Sequence, residues 1–267
     1  LLLLSGLLIG RSGLGLVEPL DLGKGLETIV GLLVSLVLFD GGLNLRLPGE
    51  TIKSIVVRIS FIRLVISLAA GLLAAHWLAG LGWSVAAVYS AIVLATGPTV
   101  VTPLVKQIRL ASPLSDVLEA EGLVLEPIGA VLALLLLELV VGDLHGWKEL
   151  LLGLLSRLGG GVLLGSIAGL LLSEGLKRLR SEPYESIRLQ LTLGVIFLLY
   201  GFCEWILPES GLPASVAAGF VVGQRPSTQA NELDKLIREL AQLAITMLFP
   251  LLAADVSWGE LSPLGWG

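Results

Sequence analysis

Leu114–Val141 reads LSDVLEAEGLVLEPIGAVLALLLLELVV, and this stretch decides the fold class. It is longer than the roughly 20 residues needed to cross about 30 Å of hydrocarbon. Its middle carries one acid, Glu126, followed by Pro127. Working outward, comparable apolar segments fall near 1–10, 25–45, 54–79 and 84–107 on one side, and near 149–173, 187–207, 212–224 and 238–256 on the other. The reading is one transmembrane domain over 1–267 with about nine membrane segments. The eighth is short for a crossing, so it either borrows flanking residues or is an interrupted or re-entrant helix.

Composition agrees. Of 267 residues, 55% are hydrophobic and 15% charged, and the mean hydropathy is +0.91. A water-coated domain carries about a quarter charged residues. An all-α polytopic bundle satisfies every backbone group in lipid. Leu1–Leu4 begin inside an apolar run, and the chain stops at Gly267 shortly after another. The expectation is therefore a domain truncated at both ends, with further spans after 267.

Lys and Arg placement supports the segment count. Arg46 and Lys53, Lys106 and Arg109, Lys177, Arg178, Arg180 and Arg188, and Arg225, Lys235 and Arg238 fall in alternate loops; the opposite side holds Arg11, Lys24 and Lys148. Basic loops stay in the cytoplasm, which places the loops near 46–53, 106–109, 177–188 and 225–238 there. Arg58, Arg63 and Arg157 lie inside spans near their ends and are read as snorkelling.

Some function classes drop out early. The one cysteine, Cys203, allows no intramolecular disulfide and no Cys-based metal site. His76 and His145 sit near span ends, so no zinc or haem centre and no cofactor is expected. The net charge of −5 gives no reason to expect a nucleic acid partner. An intramembrane serine protease needs a Ser/His pair at depth, and an aspartyl protease needs two facing Asp residues. Of the aspartates only Asp40 comes near, so an enzyme is not expected.

The informative residues are those that are costly where they stand. In the fourth segment Ala95-Thr96-Gly97-Pro98-Thr99 continues to Thr102-Pro103. Pro98 and Pro103 leave the carbonyls of Leu94 and Thr99 without helical donors. By itself this fits an ion-coordinating break and a packing kink equally well. In the fifth segment a charged Glu126 would cost at least ~2.5–3.5 kcal/mol. Nothing in its own span offers it a cation, and the broken segment lies at similar depth. Such a carboxylate can hold a proton at one moment and a small cation at another. Glu121 either completes a ligand set or is an interfacial carboxylate. Asp40 reads as structural before a possible accessory role, and Glu138 and Glu204 as snorkelling or capping residues. Gly161, Gly165 and Gly169 form a stripe for close helix approach, within the bundle or across a dimer.

At these residues the chain resembles the monovalent cation:proton antiporter family, the bacterial sodium/proton exchangers. The likeness rests on Leu38-Phe39-Asp40-Gly41-Gly42-Leu43-Asn44-Leu45, the 95–99 break, Glu121 to Ala130, and Ser210 to Gly219. The resemblance implies a sodium/proton-antiporter-like fold with discontinuous helices. It implies a core domain moving against a dimerisation domain, a homodimer in the bacterial inner membrane, and H⁺ exchanged for Na⁺ or K⁺. Glu126 would stand where the family's ion- and proton-binding aspartate stands, with Glu121, Thr96, Gly97 and Thr99 around it. Leu125, Glu126 and Gly97 depart from the Asn, Asp and Asp common at those positions. A channel-like cation efflux protein of the same fold is the alternative.

Overall fold

The computed structural model describes residues 2–11, 13–16, 19, 23–45, 49–95, 108, 110, 114–142, 144, 146–179, 185–225 and 231–256. Every regular element among them is helical: α1 (Leu2–Ile9), α2 (Lys24–Asn44), α3 (Gly49–Trp77), α4 (Trp83–Leu94), α5 (Leu114–Val141), α6 (Trp147–Arg178), α7 (Glu185–Ile206), α8 (Gly211–Gly223) and α9 (Asn231–Ala254). Of these, α2, α3, α5, α6, α7 and α9 are long and apolar enough to cross a membrane, whereas α4 and α8 are shorter. The all-helical membrane fold expected from the sequence is the one observed.

Two helices start earlier than their apolar runs, α3 at Gly49 and α9 at Asn231. Polar helix formers extend both helices beyond the hydrocarbon-length segment, where hydropathy gives no signal. The larger difference lies in the fourth segment, expected over 84–107. Its helix stops at Leu94, and Ala95 turns out with φ −69° and ψ 97°, its N–H closing on the carbonyl of Ile92. Residues 96–107 lie outside the described residues, and so do the expected site positions Thr96, Gly97 and Thr99.

Short α8 runs through the centre of one helix group, packed most extensively against α6 and α2. Small residues make this possible. A Cβ on Gly161 would meet the Ser210 carbonyl and Pro213, one on Gly165 the Ala214 carbonyl, and one on Gly169 the Ala218 carbonyl. On the other flank Gly219 lies on the Phe39 carbonyl, Gly223 on that of Leu43, and Gly42 on that of Val216. Lipid is as apolar as leucine, so helices in it associate by close van der Waals contact, and glycine lets backbones reach it. The stripe on α6 is therefore consumed inside the bundle, the first of the two uses the sequence allowed.

The helices fall into two groups. One comprises α3, α4 and α5; the other holds α2, α6, α7, α8 and α9, with α1 on α9. They meet where α5 touches α6, α2 and α8. In α9 the buried residues Ile237, Ala241, Ala244 and Leu248 recur at helical spacing, one apolar stripe against the bundle.

Candidate functional site

Glu126 lies in the middle of α5, directly before the internal Pro127. Proline has no N–H, so the carbonyl of Leu123 loses its helical donor at this point. The Glu126 Oε2 atom is buried and has no hydrogen-bond partner among the described residues, and no ion pair reaches the side chain there. One turn further along, a Cβ on Gly129 would stand 3.1 Å from the Ala95 Cβ and 3.2 Å from the Ala91 carbonyl oxygen. The absence of a side chain at Gly129 thus lets the broken end of α4 rest against α5 close to Glu126. A helix C-terminus carries about half a negative charge on its free carbonyls. A carboxylate, a freed carbonyl and a negative helix end gather here at one place. Such a set attracts a proton or a small cation.

Glu121 has a different setting. Its residue is 3% exposed, and its Oε2 lies 3.2 Å from Arg63 Nη1 on α3. Its Oε1 is buried without a partner, as is the hydroxyl of Ser60, three residues before Arg63 on the same helix. Arg63 was expected to snorkel to the interface, but instead its guanidinium turns inward to a carboxylate that could not otherwise be buried charged. Sequence reading passed over Arg63 and Ser60. The available signal was the general one, that an ionised side chain within a span seeks a partner in the bundle.

Asp40, the possible accessory acid, stands half-buried near the end of α2. Asn44 Nδ2 donates to its Oδ1 at 2.8 Å and to its carbonyl oxygen at 2.9 Å. Arg238 Nη2 on α9 in turn donates to Asn44 Oδ1 at 2.6 Å. Its neighbour Gly41 packs on the Leu123 side chain of α5.

A second cluster sits at the opposite ends of the helices. Arg157 Nη2 on α6 donates to Glu138 Oε1 at 2.9 Å and to Oε2 at 3.1 Å, joining α6 to α5. Neither residue snorkels. Side chains lean toward the N-terminus of their own helix, so on these antiparallel helices the two lean toward each other. Glu204 caps: its Oε2 accepts the Glu209 N–H at 2.8 Å and its Oε1 that of Gly211, the first residue of α8, at 3.1 Å. Glu209, in the turn before α8, has φ 64°, a left-handed conformation unusual for a residue with a side chain. Burial pushes its carboxyl above the usual range, with Glu204 adding to the rise and Arg157 opposing it.

The architecture matches that of a known transporter. A solved structure of the sodium proton antiporter MjNhaP1 from Methanocaldococcus jannaschii superposes with a TM-score of 0.74 and 22% identity, covering 98% of this chain and 65% of that one. A curated relative, "Probable Na(+)/H(+) antiporter 2" of the same organism, is 26% identical over 181 residues, covering 63% of this chain and 42% of the relative. The chain thus spans well under half of the curated relative it matches. The profile of the family described as "Sodium/hydrogen exchanger, transmembrane" matches residues 1–266. The chain belongs to that family, whose members are transporters and not enzymes.

Proposed function

We propose that the whole protein exchanges a monovalent cation, Na⁺ or K⁺, for H⁺ by alternating access, with Glu126 binding either ion in turn. One observation carries the reading: a mid-span carboxyl oxygen, Glu126 Oε2, is buried without a partner among the described residues, on the helix that packs against the end of α4. Proton and cation compete for the same oxygens, so occupancy by one expels the other, and that competition couples the two fluxes. Thr96, Gly97 and Thr99 follow directly on the last described residue of α4 and would add hydroxyl and carbonyl oxygens. Glu121, paired with Arg63, completes the ion-binding set, and Asp40 acts as an accessory acid at the end of α2.

The division into two helix groups supports a core of α3, α4 and α5 that moves against the remaining helices. The protein sits in the plasma membrane with its basic loops in the cytoplasm, as a homodimer. The curated relative's name, a probable sodium/proton antiporter, favours Na⁺ over K⁺. The test uses the full-length protein in proteoliposomes holding a pH-sensitive dye. Addition of Na⁺ or K⁺ should dequench the dye with the parent protein, and Glu126→Gln should lower the rate at least about a hundredfold, to leak. Undiminished exchange in that variant would remove Glu126 from the mechanism. Conductance far above carrier rates in planar bilayers would replace the antiporter with a channel.

A further inference from the structure

Arg157 is paired with Glu138 on α5 and acts electrostatically on Glu209, on the turn between α7 and α8. It is one helical turn before Gly161 and so continues the stripe of Gly161, Gly165 and Gly169 at the same spacing. That face of α6 covers the turn between α7 and α8: a Cβ on Gly161 would meet the Ser210 carbonyl, and one on Gly160 would lie 3.1 Å from Leu207 Cδ1. From there the guanidinium reaches sideways to Glu138 on α5, using Nη2 alone. Its Nη1 is buried and has no partner.

Glu209 occupies the same turn. It is half-buried, and its carboxyl lies within the field of Arg157. Its own N–H is tied to Glu204 Oε2, and Glu204 is occupied twice over by backbone donors. Among the described residues no hydrogen bond reaches the Glu209 carboxyl. A half-used guanidinium is thus bound to one carboxylate and acts on a second acid on the turn that its helix face covers.

We propose that Arg157 is a latch, handed from Glu138 on α5 to Glu209 on the α7–α8 turn when the two helix groups shift relative to one another. The proposal rests on the moving-core reading given above. Its physical advantage is that the buried guanidinium keeps a carboxylate in both positions. Stripping one partner from a buried ion pair is costly, whereas exchanging partners is nearly neutral. A fixed staple would instead have to be broken in every cycle.

The test reads position and not transport. In the full-length protein with Cys203→Ala, Leu135→Cys places a thiol on α5 at a site that is 1% exposed and packed on Gly153 of α6. Its rate of modification by a small water-soluble maleimide reports separation of the two helices. Glu138→Gln should raise this rate about tenfold, because only the Glu209 position remains. Glu209→Gln should lower it by a similar factor, and the double variant should return close to the parent. A fixed staple gives another pattern: Glu138→Gln and Arg157→Gln raise the rate equally and Glu209→Gln leaves it unchanged, which overturns the latch. Should Arg157→Gln fail to fold, the opposite signs of Glu138→Gln and Glu209→Gln still decide. A failure of the antiporter reading shows separately, in the flux assay of Glu126→Gln.

Discussion

Glu121 and Glu126 share α5, yet their surroundings separate them. Five positions turn the helix by about 140°, which carries one side chain toward α3 and the other away from it. Glu121 finds Arg63 at 3.2 Å, and Glu126 Oε2 finds no partner among the described residues. Arg63→Gln leaves a buried carboxylate uncompensated. With the arginine about a third exposed, the expected loss is about 1–3 kcal/mol, read as a lower melting temperature in detergent. Arg63→Gln with Glu121→Gln should recover most of it. Simple additivity of the two losses would show that the pair does not interact. Glu209 yields a pH prediction. Its folded pKa is raised above the ordinary 4.5, so the folded state holds the proton more tightly than the unfolded chain does. Stability is then full below 4.5 and declines as pH rises through the raised value. Glu209→Gln should therefore melt higher than the parent at neutral pH, with the difference vanishing at acidic pH. The chain itself pointed to Glu126, because an acid in mid-span has an obvious cost. It did not point to Arg63 or Arg157, since each looked like a long side chain near a span end. Their partners lie on other helices, and hydropathy holds no record of which helix comes alongside.

At the level of the helix, glycines separate into those that are used and those that are not. Both Gly159 and Gly165 lie inside α6. A Cβ on Gly159 would meet nothing within 4 Å, whereas one on Gly165 would run into the backbone of Ala214. Gly159→Ala should stabilise by about 0.5–1 kcal/mol through helix propensity. Gly165→Ala should destabilise by about 1–3 kcal/mol, because backbone on both sides would have to move. Thermal melts of the two variants should shift in opposite directions, and a shared direction would refute the packing described for α8. Helix positions were legible to within a few residues for α2, α5, α7 and α8, while polar extensions lengthen α3, α6 and α9 beyond their apolar runs. The stripe on α6 was legible as a close-contact face, but spacing announces an approach without naming what approaches. The early end of α4 was also foreshadowed, since Pro98 has no N–H to offer the Leu94 carbonyl.

For the molecule as a whole, the testable property is orientation in the bilayer. Arg178 and Lys148 are both exposed, one at each end of α6. With Cys203 replaced, Arg178→Cys should react with an impermeant maleimide only when the cytoplasmic face is presented, and Lys148→Cys only from the other side. Labelling of both from one side would invalidate the topology. A two-part arrangement was implied by the resemblance alone; hydropathy could not show which helices form each group, because α5 and α6 are neighbours in the chain and equally apolar. Only the pattern of helix contacts divides them.

The brevity of α8 has an electrical consequence. Its 13 residues extend about 20 Å, less than the 30 Å or so of hydrocarbon. Held among other helices, it is too short to reach both headgroup levels, so a recess is left at one end or both. Conducting solution entering a recess would bring the bulk potential inward. The membrane voltage would then drop over the remaining dry layer, making the local gradient about half again as steep as across plain bilayer. A charge displaced by a few ångströms beside α8 would thus sense the resting potential more strongly than the same step elsewhere in the membrane.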